Sequence, residues 1–249
     1  MRTTTKIFLL VLSIGAILIL LPFILSTIMF LSYPPNSPSQ NLITDYEEIN
    51  FSTNKNFEFK VGEKFIYRNI KYVIAIKEDK TKETRIYNIG HESYSIVGET
   101  DDGFITLNER NVTTQTDFMV TGIFKRTYSI NSTYLCSKDG NVSLKDAKTN
   151  INFDENFFIN KWMLGLEENK TFEIKFSIGN TTEIKEFTAL GKENINGREC
   201  YKVKMLTYSL QSPNYKHLYY YWIDTEKRIL VKMEKYDDIG KQLEINLIE

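Results

Sequence analysis

His91 and His217 are the only histidines among the 249 residues, and they lie far apart in the chain. Any chemistry that needs an imidazole, as a general base, a metal ligand or the partner of a serine, would have to draw on one of them. Neither sits in an H-E-x-x-H context, and no G-x-S-x-G occurs. Paired acids at Glu47-Glu48, Asp101-Asp102, Asp154-Glu155 and Asp237-Asp238 are of the type that glycosidases use. Three of these pairs flank turns or a helix start, where Asp is expected for local reasons. No catalytic residue, metal site or cofactor is predicted. A hydrolase acting outside the cell is therefore the third-ranked reading.

Cys136 and Cys200 are the two cysteines. In an oxidising compartment they could pair in a disulfide that helps stabilise the fold. The competing reading is two buried free thiols that behave as small hydrophobes. No C-x-x-C and no Cys–His cluster occurs, so zinc is not expected.

The run His217-Leu218-Tyr219-Tyr220-Tyr221-Trp222 carries the densest aromatic character. As a strand it places Leu218, Tyr220 and Trp222 on one face and Tyr219, Tyr221 and Ile223 on the other. Two readings follow. Either this is a central strand covered on both sides, or Tyr219, Tyr220, Tyr221 and Trp222 supply the wall of a groove for an apolar ligand.

The elements that would hold these residues fall into two parts. From Ile7 to Leu31 no charged residue occurs. As a helix this run spans about 37 Å, enough to cross a hydrocarbon core of about 30 Å with some tilt. Its length, and the poor cleavage context around Tyr33, Pro34 and Pro35, favour an uncleaved signal-anchor over a signal peptide. Arg2 and Lys6 precede it, whereas Asp45, Glu47 and Glu48 are the first charges after it. The positive-inside rule then puts residues 1–6 in the cytoplasm and the rest outside the cell membrane. Residues 32–55 read as a linker that begins rich in proline and serine. Sequons at Asn50, Asn111, Asn131, Asn141, Asn169 and Asn180 suit an external domain.

Residues 56–249 read as one β domain. Composition is ordinary for a globular chain, at 42% hydrophobic and 25% charged. The charge beyond the apolar run is slightly acidic, which argues against nucleic acid as a partner. Strict alternation marks strands at Phe172–Ile178, Ile229–Glu234 and Leu243–Leu247. Ile66, Ile70, Tyr72, Ile74 and Ile76 form a longer alternating stripe. Turn chemistry at Asp101–Gly103, Lys138–Asn141, Asn196-Gly197, Asp224–Lys227 and Asp237–Gly240 punctuates a meander of about nine to eleven strands. One helix is predicted over 154–164, with Phe157, Phe158, Trp162 and Leu164 as its apolar stripe.

Several phrases resemble a known family. Val61-Gly62-Glu63-Lys64-Phe65-Ile66-Tyr67 is similar to the opening strand of LolA/LolB-like lipoprotein-carrier domains, and Leu166 to Phe172 occupies the place of their midway repeat. Ile195-Asn196-Gly197 followed by Cys200-Tyr201-Lys202-Val203 is similar to their turn-and-strand element. Tyr221-Trp222-Ile223-Asp224 with Arg228 to Lys232 resembles their closing hairpin. The resemblance implies a mainly β fold: a curved antiparallel half-barrel with one short helix, whose concave face holds a lipid or another apolar ligand. A protein–protein module of a cell-envelope complex is the alternative, and its mark would be an exposed apolar patch or an open sheet edge.

Overall fold

Alternating apolar and polar residues, broken by left-handed turns, give twelve strands and one helical turn among the described residues. The computed structural model describes residues 43–49, 51–76, 80–118, 122–145, 157–178 and 180–249. The expected tail 1–6, the run 7–31 expected to be a signal-anchor and the first part of the expected linker lie outside the described residues. Among those described, no helix is long and apolar enough to cross a membrane.

The strands are β1 (Ile43–Ile49), β2 (Lys64–Ile76), β3 (Lys82–Thr100), β4 (Gly103–Phe118), β5 (Gly122–Ser137), β6 (Val142–Leu144), β7 (Thr171–Ile178), β8 (Thr181–Ile195), β9 (Arg198–Ser209), β10 (Ser212–Asp224), β11 (Leu230–Tyr236) and β12 (Lys241–Leu247), with α1 (Lys161–Leu164) before β7. They form a single antiparallel sheet in the order β1-β7-β8-β9-β10-β11-β12-β2-β3-β4-β5-β6, which does not close into a barrel. Two meanders, β2–β6 and β7–β12, meet where β12 pairs with β2 through Leu243↔Lys71 and Leu247↔Tyr67. Residues 41–249 make up one compact unit. Strand β1 lies within the stretch read as linker, and it forms the edge of the sheet beside β7.

The turns are those that the sequence marks. Asn196 and Gly197 take positive φ values of 53° and 84° between β8 and β9, the geometry of a tight two-residue hairpin. Asp224 Oδ1 accepts from the N–H groups of Glu226 and Lys227, at 2.9 and 2.8 Å, and so fixes the β10–β11 turn.

One face of the sheet carries the core, and the chain from Phe157 to Leu166 fills it. Phe158 and Ile159 are fully buried, with Met163, Leu164 and Leu166 close behind. Phe158 meets Tyr94 of β3 at 4.5 Å between ring centroids, while Trp162 meets Phe187 of β8 at 4.7 Å. Strands β8 and β3 stand six places apart in the sheet. A flat sheet would separate them by about 29 Å at the usual strand spacing. Holding both on one short segment curls the sheet around it. Backbone bonds clamp the segment: Leu230 N–H donates to Phe158 O at 2.8 Å, and the buried Arg228 donates to Leu166 O at 3.0 Å.

This segment is not the helix expected over 154–164. Residues 154–156 lie outside the described residues, Phe157–Asn160 is irregular, and only Lys161–Leu164 completes a turn. The physical reason is that an amphipathic helix needs a polar face. Here Phe157, Phe158, Ile159, Trp162, Met163 and Leu164 are all buried, so the chain is surrounded by apolar partners. Gly140 allows the close fit. At φ 89°, a Cβ there would lie 2.8 Å from Lys161 Cα and 2.9 Å from Phe57.

The face assignment of β2 also differs from the alternation. Phe65, Tyr67 and Asn69 face the core and Ile66, Tyr72 and Ile74 are only half-buried, so the isoleucine stripe lies on the other side. Of that stripe, Ile70 alone is buried, at 7% exposure.

A cationic cavity on the inner face

The core-facing side of the sheet is apolar at one end and polar at the other. Following the ladders from the core outward, Tyr67 pairs with Glu92, which pairs with Arg110; Lys71 pairs with Leu243, which pairs with Lys235. Directly paired residues share a face, so these charges stand on the same side as Tyr94, Met233 and Tyr221. The Phe157–Leu166 segment covers the apolar end. Above it opens a cavity of about 480 Å³, lined by Asn69, Lys71, Tyr72, Tyr87, Glu92, Tyr94, Arg110, His217, Lys235, Asp237, Gln242, Leu243 and Ile245.

Its polar groups divide into engaged and unengaged ones. Glu92 accepts from the amides of Asn69 at 3.0 Å and Asn108 at 3.1 Å. Asp237 Oδ1 accepts from the N–H groups of Ile239 and Gly240, at 2.8 and 3.0 Å. These bonds overcome its desolvation and hold the Asp237 carboxyl below its usual range. By contrast, Lys71, Arg110 and Lys235 make no ion pair among the described residues, although Lys235 Nζ lies 5.0 Å from the Tyr219 ring. Burial pushes the Lys71 ammonium below its usual range, and the positive charges of Arg110 and Lys235 push it further the same way. Arg110 Nε and Asn69 Oδ1, both buried in the lining, have no hydrogen-bond partner. Asn69 as a whole is 9% exposed, so water reaches it poorly.

The residues singled out in the sequence are scattered around this site. His217 lines the cavity, whereas His91 is exposed on the opposite face, where it pairs with Arg68. Tyr219 and Tyr221 are buried in the core, and Tyr221 packs on Trp162 at 5.2 Å. Tyr220 and Trp222 belong to the outer face. There Trp222 Nε1 donates to Glu193 at 2.8 Å, and its ring is covered by Lys232 at 4.6 Å and Lys202 at 5.5 Å. The four aromatics thus split between two faces, and none lines the cavity. Cys136 and Cys200 are buried free thiols, and the disulfide considered for them is not formed. Burial pushes Cys136 up to about 12 and Cys200 up to about 11, which keeps both protonated and unreactive. Asn111, Asn131, Asn141, Asn169 and Asn180 are all exposed, and Asn50 lies outside the described residues.

The sequence offered no signal that the charged residues of the cavity point to the core side. Lys71, Glu92 and Arg110 look like ordinary solvated positions until the register shows which face they share. The period-2 pattern alone assigns them to the wet side.

The chain is similar to several solved structures. One is a protein described as exported, with a YmcC-like fold, from Bacteroides fragilis: 15% identity, 78% of this chain and 97% of that one, TM-score 0.37. A second, described as a lipoprotein, comes from Parabacteroides distasonis, with 19% identity over 79% of this chain and 99% of that one and a TM-score of 0.37. A third is described as an outer membrane lipoprotein-sorting protein domain, from Vibrio parahaemolyticus, with 13% identity, 77% and 86% coverage and a TM-score of 0.22. No protein-family model matches the sequence, and no curated protein does.

Proposed function

We propose that this chain is a membrane-anchored binding module whose domain lies outside the cytoplasm and takes up an apolar or amphiphilic molecule without catalysis. The observation that carries the reading is the 480 Å³ cavity, within the size range of small-molecule sites. Tyr72, Tyr94, Leu243 and Ile245 supply apolar wall, and Tyr94 is itself packed on Phe158 of the core segment. Its two carboxylates are engaged with amide N–H groups, which favours binding over proton transfer. The anchor rests on the uncharged run from Ile7 to Leu31 and the positive residues before it.

Native mass spectrometry of the full chain, extracted in a neutral detergent, tests the binding. The expected spectrum contains an adduct of lipid mass that is lost when Ile245→Arg blocks the cavity and the protein still melts cooperatively. A spectrum of bare protein, unchanged by added lipid, would overturn the reading. For the topology, protease added to intact cells should remove a tag at the C-terminus and spare one at the N-terminus. The reverse pattern would refute the orientation.

A further inference from the structure

Like charges gathered on an inner face without direct ion pairs cost a folded protein stability, so such a cluster calls for a cause. Lys71, Arg110 and Lys235 come from three strands, β2, β4 and β11, and each lines the cavity. They interact closely enough for the latter two to depress the Lys71 ammonium. The two carboxylates beside them are turned to other work: Glu92 holds two amides and Asp237 holds its turn. Arg110 Nε is a buried donor with no acceptor, and Asn69 Oδ1 a buried acceptor with no donor. Buried groups of this kind are rare in folded proteins, and a ligand that supplies the missing partner recovers the lost bond.

The mouth of the cavity has a second character. Tyr72 and Tyr87 line it beside the charges, and Tyr87 is 39% exposed. An aromatic wall thus adjoins a cationic interior.

From this pairing we propose that the cavity selects anionic amphiphiles, with a phosphate or carboxylate group held by Lys71, Arg110 and Lys235 and the hydrocarbon lying against Tyr72, Tyr87 and Leu243. The proposal deepens the binding reading above and rests on it. Arg110 presents a fork of N–H donors suited to two oxygens of one oxyanion, and the lysines add point charges. Asn69 Oδ1 is placed to accept from a hydroxyl on the same head group. The head group defines the chemistry. Whether its source is a lipid-like molecule or a free small anion is a matter for the probes.

The full chain in phosphatidylcholine nanodiscs would be titrated by calorimetry with octyl phosphate, octyl glucoside and inorganic phosphate, and the heat of empty discs subtracted. Octyl phosphate is expected to bind at least about tenfold more tightly than either of the others, given the worth of a hydrogen bond to a charged group. Its affinity should fall as salt rises and drop at least about tenfold in Arg110→Gln and in Lys71→Gln. Lys71 as a residue is exposed, with only its ammonium partly desolvated at the cavity wall, so Lys71→Gln should fold. With the repulsion relieved and no ligand present, its melting temperature should match or exceed the parent's, a result that a purely structural role would reverse. Equal binding of octyl phosphate and octyl glucoside, unaffected by either variant, would overturn the anionic selection and leave the apolar reading standing. Equal binding of octyl phosphate and inorganic phosphate would overturn the amphiphile in favour of a free anion. No binding of any probe would overturn both readings.

Discussion

The Phe158 side chain fastens the core segment to the β2–β6 meander, and its removal measures how much that anchor contributes. The side chain is fully buried, with ring centroids of Tyr94, Phe157, Phe65 and Phe59 at 4.5, 5.2, 5.6 and 5.9 Å. Truncation to Ala in such a site costs about 3–5 kcal/mol, the sum of lost transfer energy and the cavity left behind. The surrounding rings belong to several elements and cannot all collapse into the gap, so the upper half of that range is expected. For a domain of this size each kcal/mol lowers the melting temperature by about 2–4 °C, which gives a fall of roughly 10–15 °C. Circular dichroism melts of Phe158→Ala, Phe158→Leu and the exposed-site control Ile239→Ala provide the comparison. Phe158→Leu should lose less than half as much, and Ile239→Ala should stay within about 0.5 kcal/mol of the parent. A loss below about 1 kcal/mol for Phe158→Ala would refute the reasoning. The segment would then be held to that meander by its other contacts.

Acid should weaken the β11–β12 region. Burial works against the Glu234 carboxylate, yet hydrogen bonds from Lys241, Tyr236 and Lys232 outweigh it and hold its pKa at about 2, below the usual 4.5. A depressed carboxylate contributes stability that is complete above about pH 4.5 and is lost as pH falls toward 2. The amount is about 1–3 kcal/mol after allowing for solvent around the lysines. Urea midpoints measured from pH 7 to pH 3 should fall less steeply in Glu234→Gln than in the parent, and parallel curves would exclude the effect. Both thiols should react with iodoacetamide at neutral pH only after unfolding, and rapid labelling of the native protein would contradict their burial.

Much of the sheet was legible in the sequence because the relevant physics is local. Alternation at Phe172–Ile178 and Leu243–Leu247 identified real strands with the correct inward face, and Asn196-Gly197 and Asp224–Lys227 identified real hairpins. What failed depended on partners distant in sequence. In β2 the apolar residues on both faces gave no local sign of which side was inner. The isoleucine stripe therefore looked like core, when Phe65, Tyr67 and Asn69 are. Strand β1 carries three acids in Ile43–Ile49 and becomes a strand only because β7 offers it an edge. The segment 157–166 had enough apolar residues for a helix stripe, and their number was itself the sign that it would be enclosed. The cavity was the least legible feature. Lys71, Arg110 and Lys235 lie on strands separated by long stretches of chain, and only register brings them to one wall.

The pairing of β12 with β2 gives the fold an order in time. β12, the last strand in the sequence, is not at an edge but near the middle of the sheet, between β11 and β2. Until its residues have emerged from the ribosome, the two meanders are separate sheets that face each other with bare edges, and the wall carrying Lys71 and Lys235 does not exist. Joining residues so distant along the chain makes the final step slow compared with forming either meander. During that interval the open edges of β2 and β11 are the surfaces most prone to pairing with the wrong neighbour. A chain stalled short of Lys241 would therefore keep most of its strands and lose its binding site, and a passing chaperone would recognise it by those two edges.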